Sequence, residues 1–148
     1  MGSKHRKYIL FLLYCGIMLW LLLARRPNEA GLPFPAYLQT HFNPVPLRTI
    51  CRFSRLLQPP VRPALMRIAI RNLLGNIVLF IPLGYFLPDI CPPLRKFFLT
   101  FLAVALIITT IELTQLLCMV GTCDIDDLIL NLLGASLGYG LYRLTHRA

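Results

Sequence analysis

Long apolar runs separated by short polar connections dominate the chain. The runs occupy about 8–24, 72–88, 97–120 and 125–142. A helix of about 20 residues rises about 30 Å, which matches the hydrocarbon thickness of a bilayer. The pattern therefore predicts an all-α integral membrane protein, with four spanning helices packed as a bundle in a single domain over residues 1–148.

The first apolar run resembles a signal peptide, because Lys4, Arg6 and Lys7 precede it. The run is longer than the roughly 7–15 apolar residues of a signal peptide, and no small-x-small cleavage site precedes Arg25. We expect it to remain as an uncleaved membrane helix.

The connection 25–71 is the longest polar segment, and its many prolines exclude one continuous helix. Within it, Arg48, Arg52 and Arg55 recur on one side of the stretch 47–57, while apolar residues fall on another side. This arrangement predicts a short amphipathic helix that lies flat at the membrane interface. The alternative is a loop whose arginines touch lipid phosphates without specificity.

The second apolar run carries the polar residues around which the other helices are expected to assemble. Pro63 suits the first turn of its helix, and Asn72 and Asn76 lie four apart on one face. Pro82 is expected to kink this helix, and Pro88, Pro92 and Pro93 are expected to end it and make a short turn. An amide in hydrocarbon needs a partner, so this helix is expected to face polar residues on its neighbours.

The third and fourth runs supply such partners. With four spans, every polar residue inside the membrane falls in the same leaflet, about 6 to 12 Å from its surface. The predicted ligand-binding set is Asn72, Asn76, Glu112, Gln115, Asp124, Asp127 and Asn131, with Arg48, Arg67 and Arg71 at the rim. Arginine suits phosphate recognition, so the set predicts a polar pocket that opens to the headgroup layer.

Glu112 is the member of this set that is hardest to explain as a tolerated polar residue. A carboxyl about two turns into hydrocarbon costs several kcal/mol unless it is paired or protonated. We expect it to lie within hydrogen-bonding or ion-pair range of Asn76, Asn131, Arg67 or Arg71. The alternative is that such a contact only fixes the packing of the helices.

The start of the fourth run also has a structural interpretation. Asp124 suits the N-cap of its helix, and Asp126 and Asp127 suit the positive end of the helix dipole. Further along the same face, Gly134 and Gly138 are expected to let a partner helix approach closely.

Composition narrows the class of protein. The hydrophobic fraction is 57%, the charged fraction is 14% and the net charge is +9. The basic residues flank apolar runs, which indicates lipid headgroups rather than nucleic acid as their partner. The five cysteines are odd in number and include no CxxC pair, so we expect no disulfide framework. Three scattered histidines indicate no metal site and no cofactor.

Several stretches resemble the VanZ-like family of bacterial membrane proteins. They are NLLGNIVLFIPLGYFLP at 72–88, IELTQLL at 111–117 and CDIDDLILNLLGASLGY at 123–139. Upstream, HFNPVPLRTI at 41–50 is similar to the Asn-Leu-x-Pro-Phe motif of that family. The resemblance covers about 42–139, and it is specific because several motifs occur in one order.

The resemblance implies a role in the cell envelope, at the plasma membrane. The founding member of the family is linked to reduced susceptibility to teicoplanin, a glycopeptide with a lipid tail. Two positions depart from the family pattern, since Leu47 replaces a usual aromatic residue and Thr122 a frequent arginine. The positions that match are Asn43, Pro46, Arg48, Asn72, Gly75, Asn76, Phe80, Pro82, Gly84, Pro88, Glu112, Gln115, Asp124, Asp127, Asn131 and Gly134.

Three functions remain open at this point. The first is a non-enzymatic envelope protein that binds an anionic membrane lipid, a lipid-linked cell-wall precursor or a lipid-tailed glycopeptide. The second is an intramembrane enzyme acting on a lipid-linked phosphate or glycan, with Glu112, Asp126 or Asp127 as acid, base or metal ligand. The third is a small transporter, which four short helices would form only as an oligomer. We favour the first.

Charge counting gives a near tie for membrane orientation. The basic residues before the first helix and the envelope role both favour cytoplasmic termini, with the pocket and the 25–71 connection outside.

Overall fold

A computed structural model describes residues 3–23, 31–59 and 62–146. Within these ranges the chain forms six α-helices, two short strands and one 3₁₀ turn. In order they are α1 (Ser3–Leu23), α2 (Phe34–His41), β1 (Phe42–Asn43), α3 (Arg48–Arg55), α4 (Pro63–Ile90), the 3₁₀ turn (Pro92–Arg95), α5 (Phe97–Leu117), β2 (Cys123–Asp124) and α6 (Ile125–Thr145). The predicted all-helical class is confirmed.

Among the described residues, three helices are long and apolar enough to cross a membrane. These are α1 from His5 onward, α4 and α5, with mean hydropathies of 1.7, 1.7 and 2.1. The fourth predicted span forms α6, a helix of 21 residues that falls outside this group. Asp126, Asp127 and Asn131 lower its hydropathy, so its crossing of the membrane stays a prediction.

The helix boundaries follow proline only in part. α4 begins at Pro63, as predicted, because proline lacks a donor that the first turn would leave unused anyway. α4 continues through Pro82 and Pro88 to Ile90, and the predicted short turn follows it at Pro92–Arg95. A proline removes one backbone hydrogen bond, and helices packed around it hold the chain in place.

α4 and α6 run in the same direction and touch through their backbones. A Cβ atom built on Gly134 would overlap the carbonyl oxygen of Ile77, and one on Gly138 would overlap that of Ile81. Equal steps of four residues on both helices fix the parallel alignment. Gly84 makes the same close approach from the α4 side. The predicted approach at this glycine face is confirmed.

α1 is attached to this pair at the end where α4 and α6 finish. The Tyr14 hydroxyl donates to the Leu79 carbonyl oxygen at 2.7 Å. Lys7 Nζ lies 2.9 Å from Asp89 Oδ1, and His146 Nε2 lies 3.5 Å from the same oxygen. Asp89 therefore joins α1, α4 and α6 at the end of the molecule opposite to the strands.

Candidate functional site

The two strands bring the connection before α4 to the start of α6. They pair in parallel, with Phe42 opposite Cys123 and Asn43 opposite Asp124. As a result α2, α3, the start of α4, the end of α5 and the start of α6 meet at one end of the molecule. We call this the loop end.

Asp124 links three of these elements. Its Oδ1 accepts hydrogen bonds from the Asp126 backbone at 2.9 Å and from Asn43 Nδ2 at 3.0 Å. Its Oδ2 accepts from Thr49 Oγ1 at 2.5 Å. The first of these bonds confirms the predicted N-cap of α6. Both oxygens are therefore satisfied by neutral donors, which hold the strand pair and α3 against α6.

Asp126 caps a helix other than its own. Its carboxylate accepts from the backbone N–H groups of Leu47 at 2.5 Å, Thr49 at 2.6 Å and Ile50 at 3.0 Å, all at the start of α3. Leu47 has a left-handed backbone with φ 64°, a conformation that costs a non-glycine residue about 1–3 kcal/mol. The side chain of Asp126 is 0% exposed, so its carboxylate serves α3 and is closed to a substrate.

A polar cavity of about 540 Å³ opens at the loop end. Arg48 and Arg52 project from successive turns of α3 on one wall, and among the described residues neither has an ion pair. Asn76 Nδ2 donates to Asp127 Oδ1 at 2.5 Å on another wall. The full lining is Gln39, Thr40, His41, Phe42, Asn43, Arg48, Thr49, Arg52, Phe53, Asn72, Asn76, Thr122, Asp124 and Asp127.

A second, smaller concavity of about 170 Å³ lies beside the polar cavity, between α5 and α6. Glu112 lines it, and Glu112 Oε2 accepts from the Asp124 backbone N–H at 3.3 Å. We call it the apolar groove. Its lining is Phe42, Asn43, Pro44, Thr109, Glu112, Cys123, Asp124, Ile125 and Leu128.

The arrangement can be compared with known proteins. The model of the VanZ/LLP1 family matches residues 11–146, nearly the whole chain. The chain belongs to the VanZ/LLP1 family. The resemblance drawn from its motifs is thereby confirmed. No curated protein and no solved structure matches the chain.

Not every residue assigned to the pocket of this VanZ/LLP1 protein lies at the polar cavity. Gln115 is buried, and its Nε2 donates to the Leu22 carbonyl oxygen at 2.5 Å, which ties α5 to α1. Arg67 and Arg71 are exposed on α4 and line neither concavity. Asn131 is 3% exposed, and its Oδ1 has no hydrogen-bond partner among the described residues.

The strand pair separates the predicted polar set into two parts. Asn76 was an expected partner of Glu112, but it donates to Asp127, and the two residues line different concavities. Phe42 and Asn43 line both concavities, on a segment that has no periodic pattern typical of a strand. Periodicity finds residues on one face of a helix, but it does not find a loop that inserts between two helices.

The chemistry of the VanZ/LLP1 loop end is that of hydrogen bonds and fixed charges. Burial, followed by the carboxylates of Glu112, Asp124 and Asp127, raises the pKa of the Cys123 thiol above its ordinary value. All five cysteines lie in the described ranges and are free thiols. Across those ranges, no group of three or more His, Cys, Asp or Glu residues is placed to hold a metal ion.

Proposed function

We propose that this VanZ/LLP1 protein is a four-span protein of the bacterial plasma membrane, and that its polar cavity binds an anionic headgroup. The headgroup belongs to a membrane lipid or to a lipid-tailed glycopeptide. α6 crosses the membrane beside α4, so both termini lie on one side. Family membership is consistent with a membrane protein associated with teicoplanin resistance.

The observation that carries the proposal is the pair Arg48 and Arg52. They lie one turn apart on the cavity wall, and they have no acidic partner among the described residues. The acids across the cavity are already hydrogen-bonded, Asp124 to Thr49 and Asp127 to Asn76. A guanidinium group offers paired donors that match phosphate and carboxylate oxygens. The guanidinium groups of Arg48 and Arg52 are therefore available to bind an anion.

The same hydrogen bonds argue against a catalytic role for one of the acidic residues, Asp126. A general acid or base must reach the atom whose proton it moves. Asp126 is enclosed by three backbone amides of α3, and Asp124 by a hydroxyl and two further donors. Asp126 was one of three residues considered as an acid or base, and its carboxylate is occupied as a helix cap.

A charge-matched pair of double variants tests the proposal. Arg48→Ala/Arg52→Ala removes two cations from the cavity, and Arg67→Ala/Arg71→Ala removes two exposed cations with the same spacing elsewhere. The full chain is placed in phosphatidylcholine nanodiscs that contain a small fraction of phosphatidic acid, and the lipid retained is measured by native mass spectrometry. We expect the cavity variant to lose at least about tenfold in phosphatidic acid affinity, the loss of one or two charge-assisted bonds, and the control to stay near wild type.

Equal losses in both double variants would mean that only overall charge matters, and the cavity would then be excluded as the site. Teicoplanin added to the same nanodiscs tests the glycopeptide branch. Saturable binding that the cavity variant loses would assign the glycopeptide to the cavity, and binding that it keeps would exclude that assignment.

A further inference from the structure

The polar cavity and the apolar groove are neighbours that share a wall. Phe42, Asn43 and Asp124 line both. The cavity lies on the side of α3 and α4, and the groove lies on the side of α5 and α6. A ligand that occupies both at once therefore has to cross the Phe42–Asn43 strand.

The groove leads from the loop end toward the apolar middle of the molecule. α5 ends at Leu117 and α6 begins at Ile125, both at the loop end. Thr109 lies about 12 Å from that end of α5 at the usual helical rise, and Leu128 lies about 5 Å into α6. The groove thus follows the two helices inward, in the direction that an acyl chain takes from a headgroup layer.

The polar cavity and the apolar groove differ in the charged residues that line them. The cavity has Arg48 and Arg52, whereas among the described residues the ionisable groups that line the groove are Glu112, Cys123 and Asp124, none of which is a cation. The carboxylates of Asp124 and Asp127 also line the cavity, so the feature that favours an anion there is the pair of guanidinium donors, which the groove lacks among the described residues. A hydrocarbon chain is instead expected to prefer the groove, because the groove is lined mainly by apolar surface.

We infer that the ligand of the polar cavity is an amphiphile whose anionic headgroup contacts Arg48 and Arg52 and whose hydrocarbon chain lies in the apolar groove between α5 and α6. This inference rests on the function proposed above. It distinguishes a lipid from a soluble phosphate compound, which would occupy the cavity alone.

The position of the ligand's acyl chain tests this inference better than the affinity of the ligand does. An acyl chain that moves from the bilayer to the groove exchanges lipid contacts for apolar protein contacts, so it gains little from the hydrophobic effect. The probe is therefore a phosphatidic acid with a photoactivatable diazirine on one acyl chain. It is added at low fraction to phosphatidylcholine nanodiscs that contain the full chain, and the crosslinked residues are identified by mass spectrometry.

We expect crosslinks at the groove, around Thr109 and Leu128, that fall at least fivefold in Arg48→Ala/Arg52→Ala. Thr109→Trp, which fills the groove, should give a similar loss. Leu113→Trp is the matched control, because Leu113 lies one turn away on α5, is 46% exposed and is not part of the groove. Its crosslinking should equal that of wild type.

Three outcomes distinguish a failure of this inference from a failure of the proposed function. Groove labelling that is equal for phosphatidic acid and a diazirine phosphatidylcholine, and unchanged by the arginine variant, would identify bulk lipid and overturn the inference. Arginine-dependent retention of phosphatidic acid with crosslinks elsewhere would overturn the inference and leave the proposed function standing. Absence of arginine-dependent retention would instead reject the proposed function.

Discussion

Asp126 is the residue on which one wall of the polar cavity most directly depends. It lies on α6, but its carboxylate binds the first backbone amides of α3. None of the residues of α3 is buried, so this helix lacks the apolar anchor that holds most helices in place. The position of Arg48 and Arg52 is thus set by a buried carboxylate and by the contact of Thr49 with Asp124.

Asp126→Ala should therefore release α3 while leaving the helices beneath it folded. Three amides lose a charged acceptor, and each such bond contributes about 1.5–3 kcal/mol. Hydrogen exchange should accelerate at least tenfold at 47–52, with little change in α4, α5 and α6. Asp126→Asn keeps one acceptor oxygen and should give a smaller effect.

Ser54→Ala is the control for this experiment. Among the described residues, its exposed hydroxyl bonds only to the Cys51 carbonyl oxygen on the same helix, so exchange at the start of α3 should match wild type. An Asp126→Ala protein with native exchange rates at 47–52 would show that α3 has another anchor.

At the scale of the elements, α4 and α6 form the frame on which both concavities are built. Asn76 on α4 reaches Asp127 on α6 at the loop end, and the glycine contacts continue the interface below it. Backbones in such close contact gain packing and weak Cα–H···O contacts, and both are lost when a side chain intervenes.

Gly134→Leu should separate these helices. Even a Cβ atom overlaps the Ile77 carbonyl oxygen, so the larger side chain forces a backbone shift. Overpacking typically costs about 1–3 kcal/mol, and the melting temperature in detergent should fall by several degrees. Gly140→Leu on the same helix is the control, since a Cβ there meets no atom of the described residues within 4 Å. Equal melting temperatures would show that the interface is placed wrongly.

The sequence predicted the elements that have a local pattern. The arginine spacing predicted α3, Pro63 marked the start of α4, Asp124 was identified as an N-cap, and Gly134 as a contact. Each of these depends on residues within one or two turns.

Periodicity did not give the contacts that depend on distant parts of the chain. The two-residue strands have no period, and Asn43 bonds to an aspartate 81 residues away. Glu112 and Gln115 are three residues apart and share a face of α5, but the sequence does not fix the rotation of that face against its neighbours. Gln115 therefore meets α1, while Glu112 meets the strand pair. Arg67 and Arg71 likewise share a face that does not point to the cavity.

At the scale of the whole molecule, the two ends differ in their chemistry. The loop end has the polar cavity, its arginines and three buried acids. The opposite end is joined by the contacts of Asp89 with Lys7 and His146. The parallel direction of α4 and α6 places the cavity at the start of both helices, so the orientation of the chain decides which side of the membrane a ligand must reach it from.

We expect the termini to be cytoplasmic and the loop end to be outside. Single cysteines at Thr40, which is exposed on α2, and at Ala148, which lies outside the described residues, are introduced into a cysteine-free variant. An impermeant maleimide applied to whole cells should label position 40 and spare position 148, with both labelled after lysis. The reverse pattern would place the cavity in the cytoplasmic leaflet.

The low hydropathy of α6 has a consequence for biogenesis. Aspartate opposes transfer of a segment from the translocon into lipid, so α6 is a poor candidate for insertion by itself. α4 is synthesised first, and it presents the backbone surface at Ile77 and Ile81 that Gly134 and Gly138 fit. On the proposed topology, α4 therefore assists the insertion of α6. We expect α6 to enter the bilayer stably only after α4 is in place.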